Sequence, residues 1–210
     1  MGAPGAGKGT QARLLQERLK LPQISTGDIL RARAEAGDPL AEEIRALQAA
    51  GTLAPDELVI RVVQERTAKE DCKNGYVLDG FPRTLAQALM LEKLAESQNN
   101  QLLAIAIDVP FDILEKRITG RRQCPVCGEI CNMYFKPPKE DETCDRDAGV
   151  RLILRADDNI DKVRVRLQTY VEQTKPSLAY YEESGRLRRL DGTRDREEIY
   201  SDIEKIIAEN

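Results

Sequence analysis

The chain has 210 residues, 41% apolar and 32% charged, enough for one compact unit carrying an inserted subdomain. It contains no His, which removes Ser-His-Asp and Cys-His catalysis and every imidazole-ligated metal. A net charge of −4, 4% aromatics and no Trp argue against a nucleic-acid partner, although 21 of the 32 basic residues are Arg, whose planar fork suits phosphate.

In chain order, Gly9 to Lys20 places Leu14, Leu15 and Leu19 at helical spacing, directly after a glycine-rich start. Residues 37–51 read as a helix, with Pro39 in its first turn and Gly51 past its end. Asp56 to Glu70 and Thr84 to Ser97 are two further amphipathic helices. Tyr76–Leu78 and Leu102–Ile107 are short apolar runs, predicted as buried parallel strands, and Phe111 to Thr119 follows the second as a helix. Asp158 to Ser184 carries a long helical pattern with a kink expected at Pro176. A strand at Leu187–Leu190, a turn at Asp191-Gly192 and a helix over Arg196–Ala208 complete the order. Alternating strands and helices predict an α/β fold, a parallel sheet with helices on both faces. Residues 120–155, rich in Cys, Pro and charge, interrupt that order as an inserted subdomain.

Gly2 to Lys8 spells G-x-x-x-x-G-K, the phosphate-binding loop. Its glycines let backbone N–H groups converge on phosphate oxygens, the following helix adds its positive end, and Lys8 reaches the β/γ-phosphates. Gly9 follows Lys8 where a Ser or Thr would ligate Mg²⁺ directly, and Thr10 comes one place later. Mg²⁺ is therefore expected on nucleotide phosphates and waters, with Asp79 orienting those waters. Such a loop follows a strand, and only Met1 precedes this one, so the first strand of the sheet is expected to be missing.

Four of the five cysteines crowd between Cys124 and Cys144, and Cys72 stands apart. An odd, clustered set is not a secreted disulfide framework; it points to the cytoplasm and to metal, with reduced loop thiols the alternative. No apolar stretch is long enough to span a membrane, and no secretory signal is present. Cys124-x₂-Cys127 and Cys144-x₂-Asp147 form two knuckles able to bring four ligands to a tetrahedral, structural Zn²⁺, with Cys131 a competitor for the last position.

GAPGAGKGTQ at 2–11, ISTGDILR at 24–31, DGFPRTLAQA at 79–88, GRR at 120–122, RADD at 155–158 and DGT at 191–193 resemble adenylate kinase, of the bacterial long-lid, zinc-binding type. The resemblance covers essentially the whole chain. It implies a core of residues 1–24, 55–119 and 159–210, an AMP-binding arm at 25–54 and a lid at 120–158 that closes over ATP. It also implies reversible transfer of the terminal phosphoryl group of ATP to AMP, giving two ADP with Mg²⁺, by a monomer. Carried over, Gly5, Ala6, Gly7, Lys8, Gly9, Thr10, Arg117, Arg121, Ile130, Cys131 and Arg194 would hold ATP. Thr26, Arg31, Thr52, Leu53, Ala54, Gly80, Phe81, Pro82, Arg83, Gln87, Arg155 and Arg166 would hold AMP, with the Gln87 amide reading the base. Lys8, Arg83, Arg121, Arg155 and Arg166 would be catalytic, while Asp157 and Asp158 steady arginines. Metal-bearing members of the family tolerate Asp as the fourth zinc ligand. A kinase for another nucleoside monophosphate, a non-catalytic zinc or nucleotide module, and an inactive truncated chain are the competing readings.

Overall fold

The computed structural model describes residues 1–36, 41–50, 52–155 and 158–209. Helix α1 (Lys8–Leu19) leaves the glycine-rich loop and is followed by β1 (Gln23–Ser25) and α2 (Thr26–Glu35). The short strand and α2 have no counterpart in the apolar periodicity. Ser25 ends the strand and caps the helix, its hydroxyl accepting from the Asp28 N–H. Helix α3 (Ala41–Ala50) occupies the described part of the predicted 37–51 helix; residues 37–40 and 51 lie outside the description, as does Asp157.

Helix α4 (Asp56–Thr67) has Asp56 and Glu57 in its first turn and Arg66 in its last, complementing the helix dipole; a single 3₁₀ turn at Glu70–Cys72 follows. Strand β2 (Val77–Asp79) leads to α5 (Leu85–Ser97), capped by Thr84, and β3 (Ala104–Asp108) leads to α6 (Phe111–Thr119). Strands β4 (Arg121–Gln123) and β5 (Ile130–Asn132) form an antiparallel pair in the inserted segment.

The predicted long helix after Asp158 runs on, with one irregular turn just ahead of Pro176, where a kink is expected. Helix α7 (Ile160–Thr169) passes through a π-helical turn at Tyr170–Thr174 into α8 (Lys175–Glu183), with Pro176 in the first turn of α8. A proline lacks the N–H of a continuous ladder, and the wide turn ahead of it absorbs that loss. Strand β6 (Leu187–Asp191) and α9 (Arg196–Ala208) close the chain's described order.

The parallel strands form two pairs: β1 with β2, register Gln23–Val77 to Ser25–Asp79, and β3 with β6, register Ala104–Leu187 to Asp108–Asp191. Met1 bonds to β3 in strand fashion: its carbonyl accepts from Ile107 N–H at 3.1 Å and its amine donates to the Ile105 carbonyl. Apolar packing fixes the phosphate loop from below, where Ala3 and Ala6 pack with Ile107, Leu114, Ile118, Val163 and Leu167. Leu14 and Leu15 of α1 pack against Ile199, Tyr200 and Ile203 of α9. Leu30 and Ala34 of α2, Ile44 of α3, and Leu58 and Val62 of α4 form a separate cluster. The inserted segment has a meagre core: Cys124, Cys131, Cys144 and Leu152 form its buried hydrophobic cluster.

Candidate active site

The loop's shape follows from its glycines at two places. Gly2 has φ +129°, and a Cβ there would stand 2.5 Å from the Ile107 carbonyl oxygen. Gly7, φ +98°, caps α1 in the left-handed region with no side-chain acceptor, so the first N–H groups of α1 stay available to an anion. Lys8 Nζ donates to the Gly2 and Ala3 carbonyls, each at 2.8 Å. Burial, reinforced by Arg83, Arg166 and Arg121, brings its ammonium down to about 8 against the opposing pull of Asp79. That is the signature of a cation held among cations, a place made for an anion.

The loop opens on a cavity of about 1110 Å³. Ligand pockets in most proteins span roughly 300–1,000 Å³, so this cavity stands at the upper end of that range. It is lined by Gly5, Ala6, Gly7, Gly9 and Thr10 on one side and by Thr26, Arg31, Thr52, Leu53, Ala54 and Gly80 on the other. Arg83, Arg121, Arg155 and Arg166 line it between those ends, beside Lys8. Gln87 also lines it.

Each arginine is held by a named partner. Asp158, whose side chain is 0% exposed, accepts from Arg121 Nε at 2.7 Å and from Arg166 Nη1 at 3.0 Å, clamping two guanidiniums with one carboxylate. Arg83 Nε donates to the Gly80 carbonyl at 2.7 Å, and Thr26 Oγ1 donates to the same oxygen at 3.0 Å. Arg31 pairs with Asp28 one turn earlier on α2. Arg155 Nε donates to Gln123 Oε1, and burial, with Arg121 and Arg31 nearby, lowers its guanidinium to about 10.

Asp79 sits at the end of β2 and accepts from Gln23 Nε2 at 3.1 Å. A Cβ on Gly9 would lie 3.1 Å from Asp79 Oδ2, so the glycine leaves the carboxylate unobstructed beside the first turn of α1. That donor set, a carboxylate with the nearby Thr10, suits a hydrated Mg²⁺ held mainly by nucleotide phosphates.

At the far end of the loop, Arg117 lies 5.9 Å from the ring centre of Phe135, and Asn132 Nδ2 donates to the Arg117 carbonyl at 2.7 Å. Ile130 and Cys131 complete that wall. Phe135 and Asn132 were not among the sequence candidates, since nothing in spacing ties them to Arg117. Arg194 borders the cavity with its guanidinium turned to Asp202, at 2.7 Å, and Glu198. Phe81 points away, packed in the core with Val59, Val63, Leu91 and Leu94, and Pro82 likewise lines no part of the large cavity.

The metal knuckles meet. The candidate ligand atoms of Cys124, Cys127, Cys144 and Asp147 all lie within 4.8 Å of one another. Tetrahedral zinc with Zn–S of about 2.3 Å and Zn–O of about 2.0 Å requires edges of about 3.8 Å for S–S and about 3.5 Å for S–O. Cys127 Sγ and Cys144 Sγ are 3.7 Å apart, and Cys124 Sγ is 3.4 Å from Asp147 Oδ2. The donors fit zinc. Cys131 is outside this group, packed with Leu152 and facing the cavity instead.

A site with no His, a buried lysine and converging arginines acts on phosphate by charge and position, and the fold and site together define a phosphate-loop phosphotransferase. A sequence model of the adenylate kinase family matches residues 1–186. The chain is 48% identical over 204 residues to an adenylate kinase of Thermodesulfovibrio yellowstonii, covering 97% of this chain and 94% of that one. It is 47% identical over 210 residues to one from Thermotoga neapolitana, with 99% and 95% covered, and 46% identical over 209 residues to one from Exiguobacterium sibiricum, with 99% and 97% covered. The chain belongs to the adenylate kinase family.

Proposed function

We propose a division of labour for the phosphoryl transfer from ATP to AMP, giving two ADP, that membership of this family assigns to the chain. ATP lies with its phosphates in the loop of Gly5 to Thr10 and its base beside Arg117 and Phe135. AMP lies in the arm formed by residues 25–54, with Arg31 and Arg83 forking onto its phosphate and Gln87 on its base. Lys8, Arg121, Arg155 and Arg166 surround the transferred group and offset the charge that develops on it. Asp158 keeps two of these arginines aimed, and the loss of water on closure strengthens all of them.

Magnesium bound to ATP supplies further charge neutralisation, with Asp79 and Thr10 holding its waters. Zinc on Cys124, Cys127, Cys144 and Asp147 would hold the lid, residues 120–158, in shape. A segment whose buried core is largely cysteine has little else to fold around. The whole site lies in one chain, which supports action as a monomer, and thiolate ligands suit a reducing cytoplasm. No helix among the described residues is long and apolar enough to cross a membrane.

The observation that carries this reading is the convergence of Lys8, Arg83, Arg121, Arg155 and Arg166 on one large cavity. The test is ADP formation from ATP and Mg²⁺ with AMP, GMP, CMP or UMP as acceptor. Turnover is expected with AMP alone. Lys8→Ala should abolish it with zinc content unchanged, and a variant retaining near-normal rate refutes the assignment of the loop.

A further inference from the structure

We propose that Asp56, which lines no part of the cavity, is the positioning residue that fixes the Gln87 amide in one orientation and thereby selects a 6-aminopurine over a 6-oxopurine as acceptor. The inference rests on the reading that Gln87 faces the acceptor base.

Gln87 is 1% exposed, in the first turn of α5, where its N–H donates to Thr84 Oγ1 at 3.0 Å. Its amide is held at both ends: Nε2 donates to Asp56 Oδ1 at 2.7 Å, and Oε1 accepts from the Arg83 N–H at 2.7 Å. Thr84 Oγ1 donates to the other carboxylate oxygen of Asp56 at 3.1 Å, which holds Asp56 in turn. A carboxylate only accepts and a backbone N–H only donates, so these two partners dictate which end of the amide is nitrogen. Reversing the amide would set NH₂ against N–H and oxygen against carboxylate, losing both bonds and leaving buried groups unpaired.

What remains free on Gln87 is one N–H and one lone pair, in a fixed order, on a side chain that lines the cavity. Adenine offers a 6-amino donor beside the N1 acceptor, which complements amide oxygen and N–H in that order. Hypoxanthine and guanine offer a 6-oxo acceptor beside an N1–H donor, the reverse. Discrimination between purines of the same shape is thus set by the two partners behind Gln87, of which Asp56 is the one a side-chain substitution removes. An Asn at 56 could turn its own amide and accommodate either orientation of Gln87, whereas Asp cannot.

The experiment compares AMP and inosine monophosphate as acceptors, by kcat/KM with ATP and Mg²⁺, in the full chain. Inosine monophosphate differs from AMP only at position 6 and at the N1 proton. In Asp56→Ala the AMP-to-inosine-monophosphate ratio should fall roughly ten- to a hundredfold, the loss of one hydrogen bond to a charged group. Asp56→Asn, of the same shape, should give an intermediate fall, and it decides the matter if the alanine variant does not fold. A purely structural role would lower both acceptors together. A ratio within twofold of the parent in the Asp56 variants, while Gln87→Ala collapses it, overturns the proposal and leaves Gln87 as the base reader. A ratio unchanged in Gln87→Ala overturns the underlying reading and the proposal with it.

Discussion

Binding of ATP should draw a proton into the protein above pH 7, and Lys8 should be where it goes. With its ammonium at about 8 in the unliganded site, Lys8 is uncharged in about a tenth of molecules at pH 7, half at pH 8 and nine-tenths at pH 9. Polyphosphate within reach of Nζ restores the charged form to its ordinary range near 10.5, a difference worth about 3 kcal/mol. Proton uptake per ATP should therefore rise from about 0.1 at pH 7 to about 0.5 at pH 8 and about 0.9 at pH 9. The sign follows from recharging: a site that has lost its proton must regain it, so ATP affinity falls roughly tenfold from pH 7 to pH 9. Phosphate groups lose their last proton near about pH 6, so the ligand contributes little over this range. Titration calorimetry with ATP and Mg²⁺, in two buffers of different ionisation enthalpy at each pH, counts the protons directly. Lys8→Arg, whose guanidinium stays charged, is the control and should show none of this rise. Uptake that is flat with pH, or that persists in Lys8→Arg, would refute the reasoning.

Removing the Asp158 carboxylate takes a shared buried acceptor from two partly buried guanidiniums; Asp158→Ala should destabilise the fold by about 3–5 kcal/mol in urea denaturation and reduce kcat more than either KM. A loss below about 1 kcal/mol would show that Arg121 and Arg166 find other partners. Chelation of zinc should lower Tm more than it lowers the initial rate at 25 °C, since the metal stands in for a hydrophobic core; parallel loss of both would make it catalytic. Arg13 on α1 donates to the Gly128 carbonyl at 3.0 Å and so ties the core to the inserted segment. Arg13→Ala, which also removes the 3.5 Å pairing with Glu129, should raise KM for ATP by roughly two- to tenfold, the worth of one hydrogen bond and a weak ion pair, and leave KM for AMP unchanged; the opposite pattern would show that this contact does not belong to lid closure.

The amino-acid sequence determined the chemistry. The absence of His, the spacing of Gly2, Gly7 and Lys8, and the two knuckles at Cys124 and Cys144 are local patterns, and each carries its meaning within a few residues. It also determined most helices, because α6 and α9 place their apolar residues at a helical period that needs no partner to be seen. Three-residue strands such as β1 and β2 have no such period, and their pairing is decided by the parallel register across the sheet. The π-turn before Pro176 was equally invisible, since a proline states only that a ladder is interrupted and not how the chain absorbs it.

Only the tertiary structure decided which side chains stand behind the site. Asp158 could be recognised as a steadying acid near Arg155, but the clamp joining Arg121 and Arg166 spans 37 and 8 residues. Asp56 and Gln87 are 31 residues apart, and Phe81, within a motif that suggests ligand contact, turns into the core. The physical reason is one of range. A motif encodes backbone shape and charge locally, whereas the orientation of an amide or guanidinium is set by hydrogen-bond partners that only the folded chain brings together.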